Sequence, residues 1–333
     1  MAKKRSAVSP EPDVHSEGGC IDGMPSFFCR TSDAEPSDRP PPPIYSTRLG
    51  SAYVGDGVDL LRTLQSNSVD LVVTSPPYAL HFKKEYGNVE KRDYSRWFRP
   101  FAEEILRVLK PEGSFVLNIG GSYNAGKPTK SLYQFRLLLM LCDLLGYHLA
   151  QEFFWHNSAK LPSPAEWVNV RRIRVKDSVE YVWWLSKTPF PKADNKRVLS
   201  PYSADMLRLL ERGYKSKTRP SGHKITDKFK DRGGSIPSNL IEAGNTESNS
   251  RYIKLCQEMG LSPHPARFPA ALPEFFIRLL TDPGDLVVDP FAGSNTTGSV
   301  AERLDRRWIA FEKEEAYVNG SRLRFTEPGL VSA

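Results

Sequence analysis

The sequence predicts an α/β protein built on a doubly wound, mostly parallel sheet. Short apolar runs of strand length alternate with amphipathic segments of helical period over most of the chain. One apolar run, Ser68–Thr74, ends abruptly in Ser75-Pro-Pro-Tyr78, and another, Asp285–Asp289, leads into a turn of small residues. With 333 residues the chain can bury a full core in one large or two ordinary domains.

The predicted elements alternate in chain order. A short helix through Leu60, Leu61 and Leu64 precedes the Ser68–Thr74 strand. A helix over Tyr94–Leu109 follows, with Phe98, Phe101, Ile105 and Val108 on one face, and Lys110–Gly113 is expected to end it. The further predicted strands are Ser114–Ile119, Glu152–Trp155, Glu180–Leu185 and Trp308–Phe311, and the further helices are Tyr133–Gly146 and Leu272–Leu280.

Composition divides the chain into four regions. Residues 1–44 are polar and Pro-rich and end in Arg39-Pro-Pro-Pro-Pro43, so we expect a disordered tail stiffened by polyproline. Residues 45–155 and 251–333 carry the alternating pattern. Residues 156–250 interrupt it, because Pro, Gly, Lys and Arg become more frequent there.

The tetrapeptide Ser75-Pro76-Pro77-Tyr78 predicts a ligand site. Two consecutive prolines force the chain out of the sheet in a rigid, extended form, at the strand end where open α/β sheets bind ligands. A flat heteroaromatic ring could stack on Tyr78 while its exocyclic amine meets the Ser75 hydroxyl and the Pro76 carbonyl. A nucleobase extruded from a duplex is such a ligand. Taken alone, the tetrapeptide is also compatible with a surface turn.

A second motif far downstream favours the functional interpretation. It is Asp289-Pro-Phe291-Ala-Gly293-Ser294-Asn295, which follows an apolar strand and leads into a helix. Gly293 would allow close approach of the backbone to a ligand, and the helix start offers N–H groups to a carboxylate. Glu312 ends the next strand, about 20 residues later, a spacing that suits a carboxylate binding ribose hydroxyls. The alternative is a helix packed on a strand through Gly293.

A third segment mimics a phosphate-binding loop. Gly121-Ser-Tyr-Asn-Ala-Gly126-Lys127-Pro128 follows a predicted strand, but the phosphate-loop motif requires Ser or Thr after Lys to hold magnesium. Pro128 has neither a hydroxyl nor an N–H. The sequence therefore argues against nucleoside triphosphate hydrolysis. It favours a loop near the end of the strand that carries the Ser75–Tyr78 ligand site.

Positive charge is concentrated in one part of the chain. The net charge is +7, whereas Lys160–Arg232 contains 18 Lys and Arg against 8 Asp and Glu. Such a region is typical of a module that faces a polyanion. Arg171, Arg172, Arg174 and Lys176 could meet phosphates or guanine edges. The alternative is a solvated charged face, in which case recognition would lie later, around Lys217, Arg219 and His223 and around Gly233–Asn239.

Cysteine usage and hydropathy exclude other classes. The four cysteines form neither a Cys-x-x-Cys pair nor a zinc-like pattern with His, and none follows a proline as a cytosine-C5 nucleophile usually does. We therefore expect free thiols, no metal and a reducing cytoplasm. No segment approaches the roughly 20 apolar residues that span a membrane, and the basic start Met1–Arg5 lacks the apolar stretch of a signal peptide.

With both motifs placed, the chain resembles the amino-methylating DNA methyltransferases of permuted order, in which the Pro-Pro motif precedes the S-adenosylmethionine loop. Ser at the first position of the tetrapeptide is typical of cytosine-N4 enzymes, whereas Asp or Asn is typical of adenine-N6 enzymes. The similarity extends to the PvuII-type cytosine-N4 members from about Ser46 to Phe325. The stretches that carry it are Thr74–Leu80, Lys83–Asn88, Lys160–Asn169, Lys217–His223, Gly233–Leu240 and His264–Pro269.

The resemblance implies a role for each region and site residue. Residues 45–155 would form the catalytic half, 156–250 the target-recognition region and 251–333 the half that binds S-adenosylmethionine. Asp56 would accept from the adenine amine of the cofactor and Glu312 would bind ribose. Phe291 would lie on the adenine face and the backbone of Gly293–Asn295 at the methionine end, with Asp289 supporting the turn. Ser75 and the Pro76 carbonyl would accept the amine hydrogens while Tyr78 stacks on the extruded cytosine, without a covalent intermediate or a metal.

Three functions stay open on the sequence. Cytosine-N4 methylation of duplex DNA is favoured over adenine-N6 methylation and over a non-catalytic nucleic-acid-binding protein. The PvuII-type resemblance implies the palindrome CAGCTG and a restriction–modification setting, with a cognate endonuclease as a functional partner. We accordingly expect a cytoplasmic, bacterial protein associated with the nucleoid through DNA.

Overall fold

A nine-stranded mixed sheet organises the chain. The computed structural model describes residues 40–79, 90–212, 231–245 and 250–326. The strands are β1 Tyr45–Ser46, β2 Gly50–Val54, β3 Val69–Thr74, β4 Leu109–Ile119, β5 His148–His156, β6 Val179–Ser186, β7 Leu240–Glu242, β8 Leu286–Asp289 and β9 Arg307–Glu312. The helices are α1 Gly57–Arg62, α2 Tyr94–Val108, α3 Tyr133–Leu139, α4 Ala204–Arg212, α5 Arg251–Glu258, α6 Ala271–Leu280, α7 Thr296–Arg303 and α8 Glu315–Ser321.

The strands are ordered β1-β2-β9-β8-β3-β4-β6-β5-β7 across the sheet. Five neighbouring pairs are parallel, and the pairs β1–β2, β4–β6 and β5–β6 are antiparallel. The prediction of a mostly parallel α/β sheet is therefore confirmed. The strand predicted around Glu180 pairs with β4 inside the main sheet, although it lies in the region where the sequence pattern is interrupted.

Helices pack on both faces of the sheet, as a doubly wound fold requires. One core cluster joins α1, α2 and α3 to the sheet, and the four α2 residues expected to share a face (Phe98, Phe101, Ile105 and Val108) are buried in it. A second cluster joins α6, α7 and α8 to the opposite face. In the described ranges no helix is long and apolar enough to cross a membrane.

Several predicted boundaries differ from the structure; β5, for example, begins at His148 instead of Glu152. Helix α2 ends at Val108, and Lys110–Gly113 belongs to β4 instead of forming a separate stop. The register of β3 against β4 shifts there, since Val69 pairs with Leu109 and Leu71 with Ser114, so the extra residues are absorbed as a bulge. The helix predicted over Tyr133–Gly146 is α-helical only to Leu139 and continues as a π-helical turn, Met140–Leu144.

One edge of the sheet gathers the strand ends that matter for function. The neighbours β2, β9, β8, β3 and β4 are mutually parallel, so their carboxyl ends lie along the same edge. Because β6 runs antiparallel to β4, its first residues lie at this edge too. Asp56 and Ser75 follow strands at this edge, Asp289 and Glu312 are the last residues of theirs, Asn118 is the last but one of β4, and Glu180 is the second residue of β6.

Candidate active site

The Ser75–Tyr78 turn leaves β3 at this edge and is held by the neighbouring elements. Tyr94, buried at the start of α2, donates a hydrogen bond of 2.9 Å to the Pro77 carbonyl. The Tyr78 ring lies against Gly120, where an added Cβ would come within 2.5 Å of the ring carbon Cε2. A side chain at position 120 would therefore collide with the ring, so Gly120 fixes the place of Tyr78.

A hydrogen-bond network connects the hydroxyls of the turn to β4 and β6. Ser75 Oγ lies 3.2 Å from Tyr78 Oη and 3.2 Å from Asn118 Oδ1. Tyr78 Oη lies 3.0 Å from Asn118 Oδ1 and 2.7 Å from Glu180 Oε2. Lys160 Nζ donates to the other oxygen of Glu180 at 2.9 Å. The Tyr78 hydroxyl is therefore anchored at the base of the site while its ring borders Gly120.

Burial, and then the negative charge of Glu180, raise the pKa of Tyr78 well above that of a free phenol. The hydroxyl consequently stays protonated at neutral pH and acts as a hydrogen-bond donor. The side chain as a whole is half-buried, so its polar end is enclosed while part of the residue remains accessible to a ligand.

Asp289 joins the target side of the site to the cofactor side. Its Oδ1 accepts from the Thr74 hydroxyl at 2.6 Å and from the Phe291 amide at 3.1 Å, and its Oδ2 accepts from the Thr297 hydroxyl at 2.7 Å. Thr74 is the last residue of β3 and immediately precedes Ser75. The buried carboxylate thus links the end of β3 to the turn after β8.

Burial raises the pKa of Asp289 to about 6, and the three hydrogen bonds that it accepts oppose this increase. The carboxyl group is therefore mostly ionised above neutral pH and protonated in mild acid.

Glu312 lies where β9 ends and holds the cofactor-side turn. Its Oε2 accepts from the Gly293 amide at 2.8 Å, and its Oε1 accepts from the amides of Lys313 and Glu314 at 2.9 and 3.0 Å. Burial raises the pKa of Glu312, against these backbone bonds. Because each carboxylate oxygen accepts about two hydrogen bonds, Oε2 retains acceptor capacity for a ligand hydroxyl.

Asp56 and Phe291 lie at the same edge of the sheet. Asp56 is exposed and caps α1, since its Oδ1 accepts from the Val58 amide at 2.9 Å, which leaves Oδ2 for another donor. Phe291 is half-buried and packs on Phe101 with ring centroids 4.6 Å apart. An added Cβ on Gly57 would lie 2.8 Å from the Pro290 carbonyl oxygen, so α1 begins in contact with the turn after β8.

The Gly293–Asn295 turn is tightly constrained. Gly293 has a φ of +53°, and a Cβ there would lie 3.0 Å from the His264 ring. Ser294 and Asn295 are buried. Ser294 Oγ accepts from Arg324 at 3.0 Å, and Asn295 caps α7 through the Gly298 amide at 3.0 Å. The Gly293 and Asn295 amides donate to Glu312 and to the Ala292 carbonyl, so the turn is closed by hydrogen bonds within the protein.

The four basic residues expected at a polyanion differ in their surroundings. Arg171, Arg172 and Lys176 are exposed; Arg171 is paired with Glu166 at 2.8 Å, and Lys176 lies 3.4 Å from the Ser158 carbonyl. Arg174 is half-buried, lies over the Tyr123 ring at 4.8 Å and pairs with Asp177 at 3.8 Å. Arg174 therefore also holds the Gly121–Pro128 loop in place.

The phosphate-loop mimic lies beside the Ser75–Tyr78 turn, as expected, because Gly120, the residue immediately before it, contacts Tyr78. Predictions for Lys217, Arg219 and His223, and most of the predicted tail over residues 1–44, lie outside the described residues. Within the described ranges no group of three or more His, Cys, Asp and Glu is arranged to hold a metal ion.

Sequence reasoning did not identify four residues of this site: Thr74, Asn118, Glu180 and Thr297. Asn118 and Glu180 had a signal, since Asn118 lies within the mainly apolar strand Ser114–Ile119 and Glu180 begins the mainly apolar strand Glu180–Leu185. Their convergence depended on the antiparallel pairing of β4 with β6, which the local pattern does not specify.

Comparison with known proteins defines the class to which this fold and site belong. A family model described as DNA methylase matches residues 69–322. The Type II methyltransferase M.PvuII of Proteus hauseri is 55% identical over 292 residues, covering 86% of this chain and 87% of that protein. M.BglII of Bacillus subtilis is 29% identical over 273 residues, covering 81% of this chain and 67% of that protein. The chain belongs to this DNA methylase family.

Solved structures agree. A PvuII DNA methyltransferase described as cytosine-N4-specific matches with a TM-score of 0.71 and 48% identity, covering 87% of this chain and 90% of that one. A DNA modification methylase of Thermus thermophilus, solved as a complex with S-adenosyl-L-methionine, matches with a TM-score of 0.52 and 21% identity, over 84% of this chain and 96% of that one. The second likeness concerns the fold alone.

Proposed function

We infer that the protein is a site-specific DNA methyltransferase that transfers a methyl group from S-adenosyl-L-methionine to N4 of cytosine in duplex DNA. The observation that carries this inference is the junction of two motifs at one sheet edge, through the bonds of Thr74 and Phe291 to Asp289. The similarity to M.PvuII and to the cytosine-N4-specific structure supports the same activity.

The chemistry of the target explains the residues proposed for the base. The amine lone pair of cytosine is delocalised into the ring, so the amine is a weak nucleophile. A site must hold it in line with the methyl group at roughly 3–3.5 Å and accept its hydrogens as the nitrogen becomes pyramidal. Ser75 Oγ and the Pro76 carbonyl are proposed as these acceptors. Tyr78, whose ring is placed by Gly120, is proposed to stack on the extruded base.

The cofactor-side residues fit S-adenosyl-L-methionine. When bound, this molecule supplies the methyl group from a sulfonium centre. Glu312, an acceptor with capacity left on Oε2, is proposed to bind the ribose hydroxyls. Asp56 is proposed to accept from the adenine amine, Phe291 to contact the adenine face, and the backbone of Gly293–Asn295 to meet the methionine end. Asp289 is proposed to support the turn, since it is buried and both of its oxygens accept hydrogen bonds from the protein.

DNA contacts are proposed for the positively charged region. Residues 156–250 are proposed as the target-recognition region between a catalytic half, 45–155, and a cofactor-binding half, 251–333. Arg171, Arg172 and Lys176 are exposed and are suited to contact phosphates or bases. Arg174 is proposed to make such contacts through its remaining N–H groups. Lys217, Arg219 and His223 are proposed to contribute from the later part of the region.

CAGCTG is proposed as the target, on the strength of the 55% identity to M.PvuII. A methylase of this specificity would protect host DNA at the nucleoid against an endonuclease that cuts the same palindrome. This pairing is functional and requires no stable complex between the two proteins.

The target proposal is tested with two duplexes that differ only in the order of the six central bases. Each duplex is incubated with protein and S-adenosyl-L-methionine and then exposed to an endonuclease that cuts CAGCTG, with methyl transfer to both measured in parallel. Protection of the CAGCTG duplex, with transfer to the scrambled duplex at background, is expected. Equal transfer to both would contradict the proposed specificity, and transfer to neither would contradict the activity.

A further inference from the structure

The hydrogen-bond network at the Ser75–Tyr78 turn ends in the carboxylate of Glu180. This residue is not among those proposed to bind the base or the cofactor. Only 13% of its side chain is exposed. One oxygen is bonded to Tyr78 at 2.7 Å and the other is paired with Lys160 at 2.9 Å. Enclosure of a charge costs free energy unless partners compensate it, and here both oxygens have one.

The number of protons available shows which group donates and which accepts in each hydrogen bond of the network. Asn118 Nδ2 donates to the Tyr181 carbonyl at 3.2 Å, so Oδ1 faces the two hydroxyls as an acceptor. Tyr78 has one proton, and its shorter contact is to Glu180, at 2.7 Å against 3.0 Å to Asn118. Ser75 then donates to Asn118 or to Tyr78, both at 3.2 Å. A lone pair of Ser75 Oγ is left free to accept an amine hydrogen.

Methylation of an amine releases a proton, and the network contains one suitable base. The pKa of Tyr78 is raised by burial and by Glu180, so its hydroxyl does not ionise near neutral pH. The amide of Asn118 and the hydroxyl of Ser75 are not bases at neutral pH. Glu180 is the group in this network that can take up a proton and later return it to solvent.

We propose that Glu180 is the terminal acceptor of the proton released by the cytosine amine, and that Ser75 and Tyr78 pass it on. This rests on the proposed placement of the base at Ser75. The bond from N4 to the methyl carbon forms as the carbon–sulfur bond breaks, and the electron pair of that bond stays on sulfur. N4 gives a proton to Ser75 Oγ, Ser75 gives its own to Tyr78 Oη, and Tyr78 gives its own to Glu180 Oε2. Both hydroxyls end neutral, and Glu180 ends as a carboxylic acid.

The distance between Ser75 and Tyr78 indicates that proton transfer takes place once the substrate is bound. The 3.2 Å contact between Ser75 and Tyr78 is longer than a strong O–H···O hydrogen bond, which measures about 2.7–2.8 Å. Catalytic hydrogen bonds of this kind tighten when the substrate is in place. Lys160 balances the charge of Glu180 before transfer and keeps Oε1 occupied, so that Oε2 faces Tyr78.

The experiment compares single-turnover methyl transfer at saturating DNA and S-adenosyl-L-methionine. Glu180→Gln should slow transfer by about 10²-fold, the lower end of general-base effects, while equilibrium affinities for both ligands stay within about twofold. The matched control is Glu103→Gln, which removes an exposed carboxylate on α2 that is paired with Arg99 at 2.7 Å. Its rate should equal that of the wild type.

Two further variants separate proton transfer from support of the fold. Tyr78→Phe keeps the ring and removes the hydroxyl, so its loss and that of Glu180→Gln should not add in the double variant. Glu180→Ala leaves room for a small carboxylate that can accept the proton. Sodium formate should therefore restore the rate of methyl transfer by this variant in proportion to its concentration, whereas sodium chloride should not.

Other outcomes overturn the proposal. A Glu180→Gln rate equal to that of Glu103→Gln, additive losses in the double variant, or an equal Glu180→Ala rate in formate and chloride would each remove Glu180 from proton transfer. Ser75→Ala distinguishes this failure from failure of the underlying site. If Ser75→Ala is slow and Glu180→Gln is not, only the relay is wrong; if both are as fast as wild type, the placement of the base is wrong.

Discussion

Thr74→Val tests whether Asp289 couples the two halves of the site through a charge-dependent bond. The Thr74 side chain is fully buried, and its hydroxyl lies 2.6 Å from Asp289 Oδ1. Valine has nearly the same shape and removes this donor. Hydrogen bonds to charged groups contribute about 1.5–3 kcal/mol and neutral ones about 0.5–1.5 kcal/mol. Since burial raises the pKa of Asp289 to about 6, the loss of unfolding free energy should be about 1.5–3 kcal/mol at pH 8 and clearly smaller at pH 5.

Urea denaturation of wild type and variant at both pH values measures these losses. Thr63→Val is the matched control, because Thr63 is a buried threonine whose hydroxyl donates to a neutral acceptor, the Leu60 carbonyl, at 2.7 Å. Its loss should be the same at pH 5 and pH 8. If the Thr74→Val loss is equally independent of pH, Asp289 is not a charged acceptor of this bond, and the coupling of the two motifs loses its electrostatic basis.

Three further variants test other parts of the site. Gly120→Ala should displace the Tyr78 ring, cost about 1–3 kcal/mol of stability and slow methyl transfer. Gly121→Ala, whose Cβ would meet nothing closer than 3.6 Å, should do neither, and equal effects would refute the packing argument. Glu312→Gln should weaken S-adenosyl-L-methionine binding by roughly tenfold and leave DNA affinity intact; calorimetry showing unchanged cofactor affinity would remove it from the ribose site. The wild type should lose up to about 3 kcal/mol of stability as pH rises from 4 through 6, because the raised pKa of Asp289 favours the protonated folded state. Asp289→Asn should abolish this loss, and parallel stability–pH profiles of the two proteins would contradict the raised pKa.

Local sequence patterns predicted most of the sheet because buried strands and helix faces have distinctive periods. The strand before Ser75, the strand before Phe291 and the strand before Glu312 all exist within one residue of their expected bounds. Phosphate-loop chemistry was rejected from one residue, Pro128, and the loop lies beside the site instead.

Long-range pairing accounts for what the sequence could not predict. Glu180 and Asn118 meet Tyr78 only because β6 runs antiparallel beside β4, and a strand's apolar pattern does not specify its neighbour. Thr74 and Thr297 contact Asp289 from positions 215 and 8 residues away, with hydroxyls that no local period distinguishes. The bulge at Lys110–Gly113 was missed because Lys-Pro-Glu-Gly resembles a helix stop.

The position that receives the methyl group is the most direct test of the account. A duplex containing CAGCTG is methylated with S-adenosyl-L-methionine carrying a labelled methyl group, digested to nucleosides and separated by chromatography with mass detection. We predict that the label appears in the deoxynucleoside of N4-methylcytosine, and that Ser75→Ala reduces its rate of formation by about 10²-fold, as for loss of one preorganised polar contact. Label in N6-methyladenine or C5-methylcytosine, or in no nucleoside, would contradict it.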